Sequence, residues 1–158
     1  MQQYLINLSN TTLILLLYIL TISKIYINSI SKGENKMILR NIGVILTILV
    51  GIEHIGIMWL EIFGKPELQA KSFDMDINFV KQPAAKTALA NQGIYNGMLG
   101  LLILIVFFFF RIPTLITVWQ LLLAFVVVVA IFGGFTASKK IFVVQMLPAL
   151  IAFILLFF

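Results

Sequence analysis

The stretch Ile38–Phe63, ILRNIGVILTILVGIEHIGIMWLEIF, decides the fold. Arg40 stands near its start, and no further charge follows until Glu53. Wound as an α-helix rising about 1.5 Å per residue, the stretch reaches about 39 Å, enough to cross a hydrocarbon layer about 30 Å thick with some tilt. Its polar anomalies are Glu53, His54 and Glu61. A carboxylate inside a bilayer costs several kcal/mol, roughly, unless it is paired or protonated, so each of these residues requires a reason.

Further apolar runs of similar length flank this stretch: Tyr4–Ile22, Asn91–Phe110, Thr114–Phe135 and Ile141–Phe158. The chain of 158 residues is 61% hydrophobic and 11% charged, with a mean hydropathy of +1.10, which excludes a water-soluble globule. The expected fold is all-α: an integral membrane antiparallel helical bundle with four core transmembrane helices in residues 37–158. Residues 1–36 are either an extra transmembrane helix or an upstream extension.

Tyr4–Ile22 has no Lys or Arg before it and no small-residue cleavage site after it, so it reads as a helix and not as a removable signal. A different reading starts from Met37, which follows Lys32-Gly33-Glu34-Asn35-Lys36. Common codons for Lys-Gly-Glu spell a purine-rich ribosome-binding sequence, which would make Met37 the start and residues 1–36 upstream sequence read in frame. The intact mass of the native product decides between the two.

The net charge of +5 comes from eleven Lys and Arg against six acids, with the basic residues standing at the ends of apolar runs or in loops. This is a membrane-topology pattern and points to no nucleic-acid partner. With no cysteine there is no disulfide, no cysteine-ligated zinc and no thiol lipidation. One His and two Glu match no metalloprotease spacing, and phosphate-binding glycine loops and nucleophile elbows are absent, so no metal and no cofactor is expected.

Between the Ile38 and Asn91 runs lies a polar segment, Gly64–Ala90, in which Phe73, Met75, Ile77 and Phe79 alternate with polar residues; the alternation predicts an extended or interfacial piece. Pro83 suits a first helical turn, so the next helix begins inside this segment. Arg111–Pro113 and Ser138–Lys140 make short connections, which imply antiparallel neighbours. Small residues four apart, Gly93 with Gly97, Ala130 with Gly134 and Gly133 with Ala137, either let helix backbones approach closely or simply reflect the commonness of glycine in membrane helices. Phe107–Phe110, Trp119 and Phe157–Phe158 read as lipid-facing or interfacial bulk.

Alternating helix direction brings the end of the Ile38 run, the start of the Asn91 run, the end of the Thr114 run and the start of the Ile141 run to one membrane face, here called the near face. It receives Lys65, Lys71, Lys81, Lys86, Lys139 and Lys140, against Arg40 and Arg111 opposite, so a four-span protein has its near face in the cytoplasm. Counting residues 1–36 adds Lys24, Lys32 and Lys36 to the opposite face and leaves the orientation undecided.

Polar residues from all four spans collect in the near half. Glu53, His54 and Glu61 are the candidate acid and base groups; Asn91, Gln92, Tyr95, Asn96, Thr136 and Gln145 are the candidate ligand-binding groups. His54 and Glu61, seven positions apart, differ by only about 20° around a helix and can face one cavity, whereas Glu53 lies about 100° away from His54. Pro148 either kinks the last helix beside Gln145 or is merely tolerated there.

Taken in order, Glu53-His54, Leu60-Glu61-Ile62-Phe63, Ala90-Asn91-Gln92-Gly93-Ile94-Tyr95-Asn96-Gly97, Gly134-Phe135-Thr136 and Gln145-Met146-Leu147-Pro148-Ala149 resemble the small bacterial integral membrane proteins of domain-of-unknown-function family 1304. The resemblance covers about Met37 to Phe158, and its most specific portion is the Asn-Gln-Gly-Ile-Tyr-Asn-Gly segment. It implies a four-helix membrane protein and supplies no activity; the expected location is the bacterial plasma membrane, as a multi-pass protein. Some relatives carry an epimerase label, but no dinucleotide fingerprint stands in this sequence.

Three functions remain open at this level. One is a protein that binds, or isomerises or epimerises, a small lipophilic molecule, with His54 and Glu53 or Glu61 exchanging protons. Another is a proton-linked transporter or channel subunit, which four or five helices without an internal repeat would build only as a homo-oligomer. The third is a structural protein whose polar groups lock the helices together among membrane lipids.

Overall fold

Proline and glycine set the helix boundaries. In the computed structural model, which describes residues 33–158, α1 (Gly33–Phe63) is followed by Gly64 and Lys65, and α2 (Pro66–Phe73) takes Pro66 in its first turn, where a missing N–H costs nothing. Glu67 in the first turn of α2 and Lys71 in its last complement the helix dipole. Asp74 closes α2 in the left-handed conformation, with φ of 56°. Asp76 then caps α3 (Ile77–Val80), accepting hydrogen bonds from the backbone N–H groups of Asn78 and Phe79 at 2.8 and 3.1 Å.

The segment expected to be extended or interfacial is therefore helical in two short pieces. The period-two alternation of Phe73 to Phe79 is broken by the Asp74 and Asp76 caps, which turn the chain between helices. The next helix, α4 (Pro83–Phe109), begins at Pro83 as its sequence predicts, and α5 (Thr114–Thr136) follows a connection of four residues, Phe110 to Pro113.

The last span is not a uniform α-helix. Phe142–Met146 is π-helical and runs into α6 (Leu147–Leu155). Pro148 has no N–H to give the carbonyl of Val144, and its ring crowds that carbonyl; the wider turn, in which Leu147 N–H donates to the carbonyl of Phe142, accommodates both.

All elements among the described residues are helical. Asn35–Phe63, Pro83–Phe109 and Thr114–Thr136 are long and apolar enough to span a membrane, whereas Phe142–Leu155 is a shorter apolar helix. The expected helix Tyr4–Ile22 lies outside the described residues. The chain divides into two units, Met1–Ile38 and Leu39–Phe158; of the first, the described residues are the opening turns of α1.

Within Leu39–Phe158 the helices run antiparallel. Along α1, Gly51, Met58 and Glu61 meet Gly100, Gly97 and Gly93 of α4, so one index rises as the other falls. Gly134 abuts the ring of Phe142 while Gln120 reaches the carbonyl of Leu156, which sets α5 against the last span in the same sense. Small residues let α1 and α4 approach closely: a Cβ on Gly100 would stand 2.5 Å from the carbonyl oxygen of Gly51.

The apolar core gathers Val50, Ile103, Val106, Leu115, Trp119, Leu123, Val126, Ala149, Ala152 and Leu156. Trp119 is buried, which corrects the expectation that it faces lipid. An indole N–H has no acceptor among acyl chains, and Trp119 finds one by donating to the carbonyl of Ile103 at 2.8 Å, with Phe107 stacked on its ring. Phe107 to Phe110 are exposed, as are the outward Ile45, Leu49, Trp59, Leu121, Val128 and Phe132, the apolar surface that acyl chains require.

Candidate functional site

The near half is where the polar side chains of α1 and α4 meet. His54 is buried and its Nδ1 lies 2.9 Å from the carbonyl oxygen of Val50. A carbonyl only accepts, so Nδ1 carries the hydrogen, and in the neutral ring Nε2 holds a free lone pair. Glu61, also buried, accepts a hydrogen bond of 2.8 Å from Nδ2 of Asn96 on α4.

A groove of about 580 Å³ borders His54, Gln92, Tyr95, Asn96 and Gln145, with apolar walls from α4 (Met98, Leu99, Leu102) and α5 (Phe125, Val126, Val129). It contains polar groups from α1, α4 and the π-helical segment. The helix spacing that groups Tyr95 with Met98, Leu99 and Leu102 carries the groove along one face of α4. A histidine with one nitrogen tethered and, among the described residues, no hydrogen bond at the other, bordering an apolar space together with amides and a phenol, is chemically able to accept a proton from a neutral guest molecule and return it.

The other candidates stand as follows. Glu61 opens into a second, smaller crevice of about 240 Å³ with Gln69 and Lys86, not into the groove. His54 and Glu61 do share one stripe of α1, as their spacing predicts, yet α4 closes on α1 between them, where Gly97 packs against Met58. Glu53 is half-buried, does not border the groove, and among the described residues its Oε1 is buried without a hydrogen-bond partner. Asn91 is exposed and borders neither cavity. Thr136 is exposed and donates to the carbonyl of Phe132 within its own helix at 2.8 Å.

Gln69 was not singled out from the sequence. It is the buried residue of α2, and its Nε2 donates to the carbonyls of Leu60 and Glu61 at 3.0 and 2.9 Å, satisfying the open end of α1. A glutamine within a polar linker carries no signal of such a role. Nor does the clasp at Asp74, whose carboxylate accepts from Ser138 Oγ and Lys140 Nζ, both at 2.5 Å, and ties α2 to the turn after α5. Those two donors hold the Asp74 carboxyl below the usual aspartate range.

Among the described residues no three His, Cys, Asp or Glu side chains converge as a metal site would need. Over the described residues, antiparallel helices, three of them long and apolar enough to cross a membrane, with polar side chains of α1 and α4 meeting in one half, define an all-helical protein of membrane type. The chain belongs to the family described as "Protein of unknown function (DUF1304)", which matches residues 48–157. It is similar to the uncharacterised protein YpaA of Lactococcus lactis subsp. lactis (strain IL1403), with 34% identity over 116 residues, covering 73% of this chain and 96% of that protein. No solved structure matches the chain.

Proposed function

We propose that residues 37–158 cross the bacterial plasma membrane four times and hold a small lipophilic molecule in the groove beside His54. Phe142–Leu155 then makes the fourth crossing together with its flanking apolar residues. The observation that carries the reading is His54, held through Nδ1 by the Val50 carbonyl and bordering, with Asn96, Gln92, Tyr95 and Gln145, a groove whose other walls are apolar. Apolar walls select a lipophilic guest, and the few amide and phenol groups orient it. Proton exchange at His54 suits removal of a proton at one carbon and its return at another position or face, an isomerisation or epimerisation.

The test is native mass spectrometry of the purified chain. A small-molecule adduct is expected on the natural protein and is lost in His54→Ala with the fold intact. A natural protein that is fully folded and empty overturns the reading.

A second reading, proton-linked passage of a solute, is favoured by Glu53, a half-buried intramembrane acid with an oxygen unpartnered among the described residues. Under it, proteoliposomes carry protons with solute and Glu53→Gln stops them. Under the first reading they do not.

A further inference from the structure

The crevice that receives Glu61 lies at the near end of α1, between the start of α2 and the first turn of α4. Its lining is Glu61, Ile62, Gly64, Pro66, Gln69 and Lys86. Lys86 is exposed, whereas Glu61 is 3% exposed, so the crevice leads from a charged surface residue inward to a buried carboxylate. Gln69 fixes its wall by holding the last carbonyls of α1. The hydrogen-bond partner of Glu61, Asn96, borders the groove but not the crevice. One hydrogen bond of 2.8 Å, Asn96 Nδ2 to Glu61 Oε2, therefore links a residue of the polar crevice to a residue of the largely apolar groove.

We infer that the crevice is a hydrated vestibule through which Glu61 exchanges protons with the water of the near face, and that the Glu61–Asn96 pair is the partition between that water and the groove. The step is a proton transfer from hydronium in the crevice to a carboxylate oxygen of Glu61, leaving water. The charged group facing Glu61 from α4 is Lys86; His54, on α1, faces the groove instead. Once protonated, Glu61 offers an O–H, and Asn96 keeps the contact by turning its amide oxygen toward it. The N–H groups of Asn96 are thereby released toward the groove. Near-face acidity is thus read in the groove as a change from acceptor to donor.

The route rests on the proposed membrane crossing. Only the use made of the proton rests on the proposed binding of a lipophilic guest.

The natural chain has no cysteine, so single cysteines report without further engineering. In proteoliposomes of the full chain, Glu61→Cys, Lys86→Cys and Asn96→Cys are treated with a membrane-impermeant, charged methanethiosulfonate from each face. A thiol reacts as its thiolate, which forms only where water reaches it, so Glu61→Cys is expected to label from the face that labels Lys86→Cys, and Asn96→Cys to label at least about tenfold more slowly. Ile62→Cys, on the same crevice wall, carries the same expectation as Glu61→Cys should the latter fail to fold. The inference is overturned if neither crevice cysteine labels while Lys86→Cys does, if they label from the opposite face, or if Asn96→Cys keeps pace with them. Labelling as expected in a protein that holds no ligand would retain the vestibule and discard the ligand-binding reading.

Discussion

The indole Nε1 of Trp119 donates to the carbonyl oxygen of Ile103 at 2.8 Å, stitching α5 to α4 inside the apolar core. Trp119→Phe removes the donor and keeps most of the ring, and should cost about 1 kcal/mol, the scale of an interhelical hydrogen bond in a membrane. Trp119→Ala adds a cavity and should cost about 3–5 kcal/mol. Reversible unfolding in mixed micelles measures both, and equal losses for the two variants would contradict the assignment.

Trp59 is 65% exposed and Trp119 only 1%, so the two tryptophans stand in different surroundings. Lipids brominated on their acyl chains should quench the fluorescence of the Trp119→Phe variant, which retains Trp59, and leave the Trp59→Phe variant much less affected.

Glycines on α1 and α4 should divide by what a methyl group would meet. Gly100→Ala drives a Cβ against the Gly51 carbonyl and toward Cβ of His54, the nearest approaches being 2.5 and 3.0 Å. Backbone cannot yield as a flexible side-chain end does, so a loss of about 1–3 kcal/mol is expected. Gly56→Ala meets nothing within 4 Å and should be neutral or stabilising by up to about 1 kcal/mol through helix propensity. Thermal unfolding of the pair checks the contrast.

The clasp at Asp74 makes stability depend on acidity. Lys140 and Ser138 lower the Asp74 pKa from its ordinary 3.8, so the folded state holds the carboxylate more tightly than the unfolded chain does. The contribution is fully present above the ordinary value and is lost as pH falls below it through the depressed folded-state value. Melting temperature should therefore drop with pH in that acidic window, and Asp74→Asn should flatten the drop. An unchanged profile in Asp74→Asn would show that other carboxyls govern it.

Val129 borders the groove and is 49% exposed, so a larger side chain there fills space without entering the core. Val129→Trp should abolish any small-molecule adduct seen by native mass spectrometry while shifting stability by no more than about 0.5 kcal/mol, as surface substitutions do. An adduct surviving this substitution locates the guest elsewhere.

Several features were legible in the residues before any coordinates. Pro83 announced the start of α4, and of the two readings that the spacing of Gly93 and Gly97 left open, the structure shows close packing. The family expected from the Asn91 to Gly97 segment is the family shown. The linker between α1 and α4 was not legible, because its aromatic alternation imitated a strand while Asp74 and Asp76 were placed to cap helices. Trp119 was not legible either, since an indole near a helix end serves equally at an interface or in a core.

The sequence alone determined that the chain folds as long apolar helices. Hydropathy accumulates along consecutive residues, and within lipid a helix satisfies its backbone hydrogen bonds internally. Tertiary structure alone decided that His54 and Glu61, on one stripe of α1, border different cavities, and that Asn96, beside the groove, is the hydrogen-bond partner of Glu61. Helical periodicity gives each side chain its direction about its own axis. The rotation and height of the neighbouring helix, set here by glycine contacts distant in sequence, decide what that side chain meets.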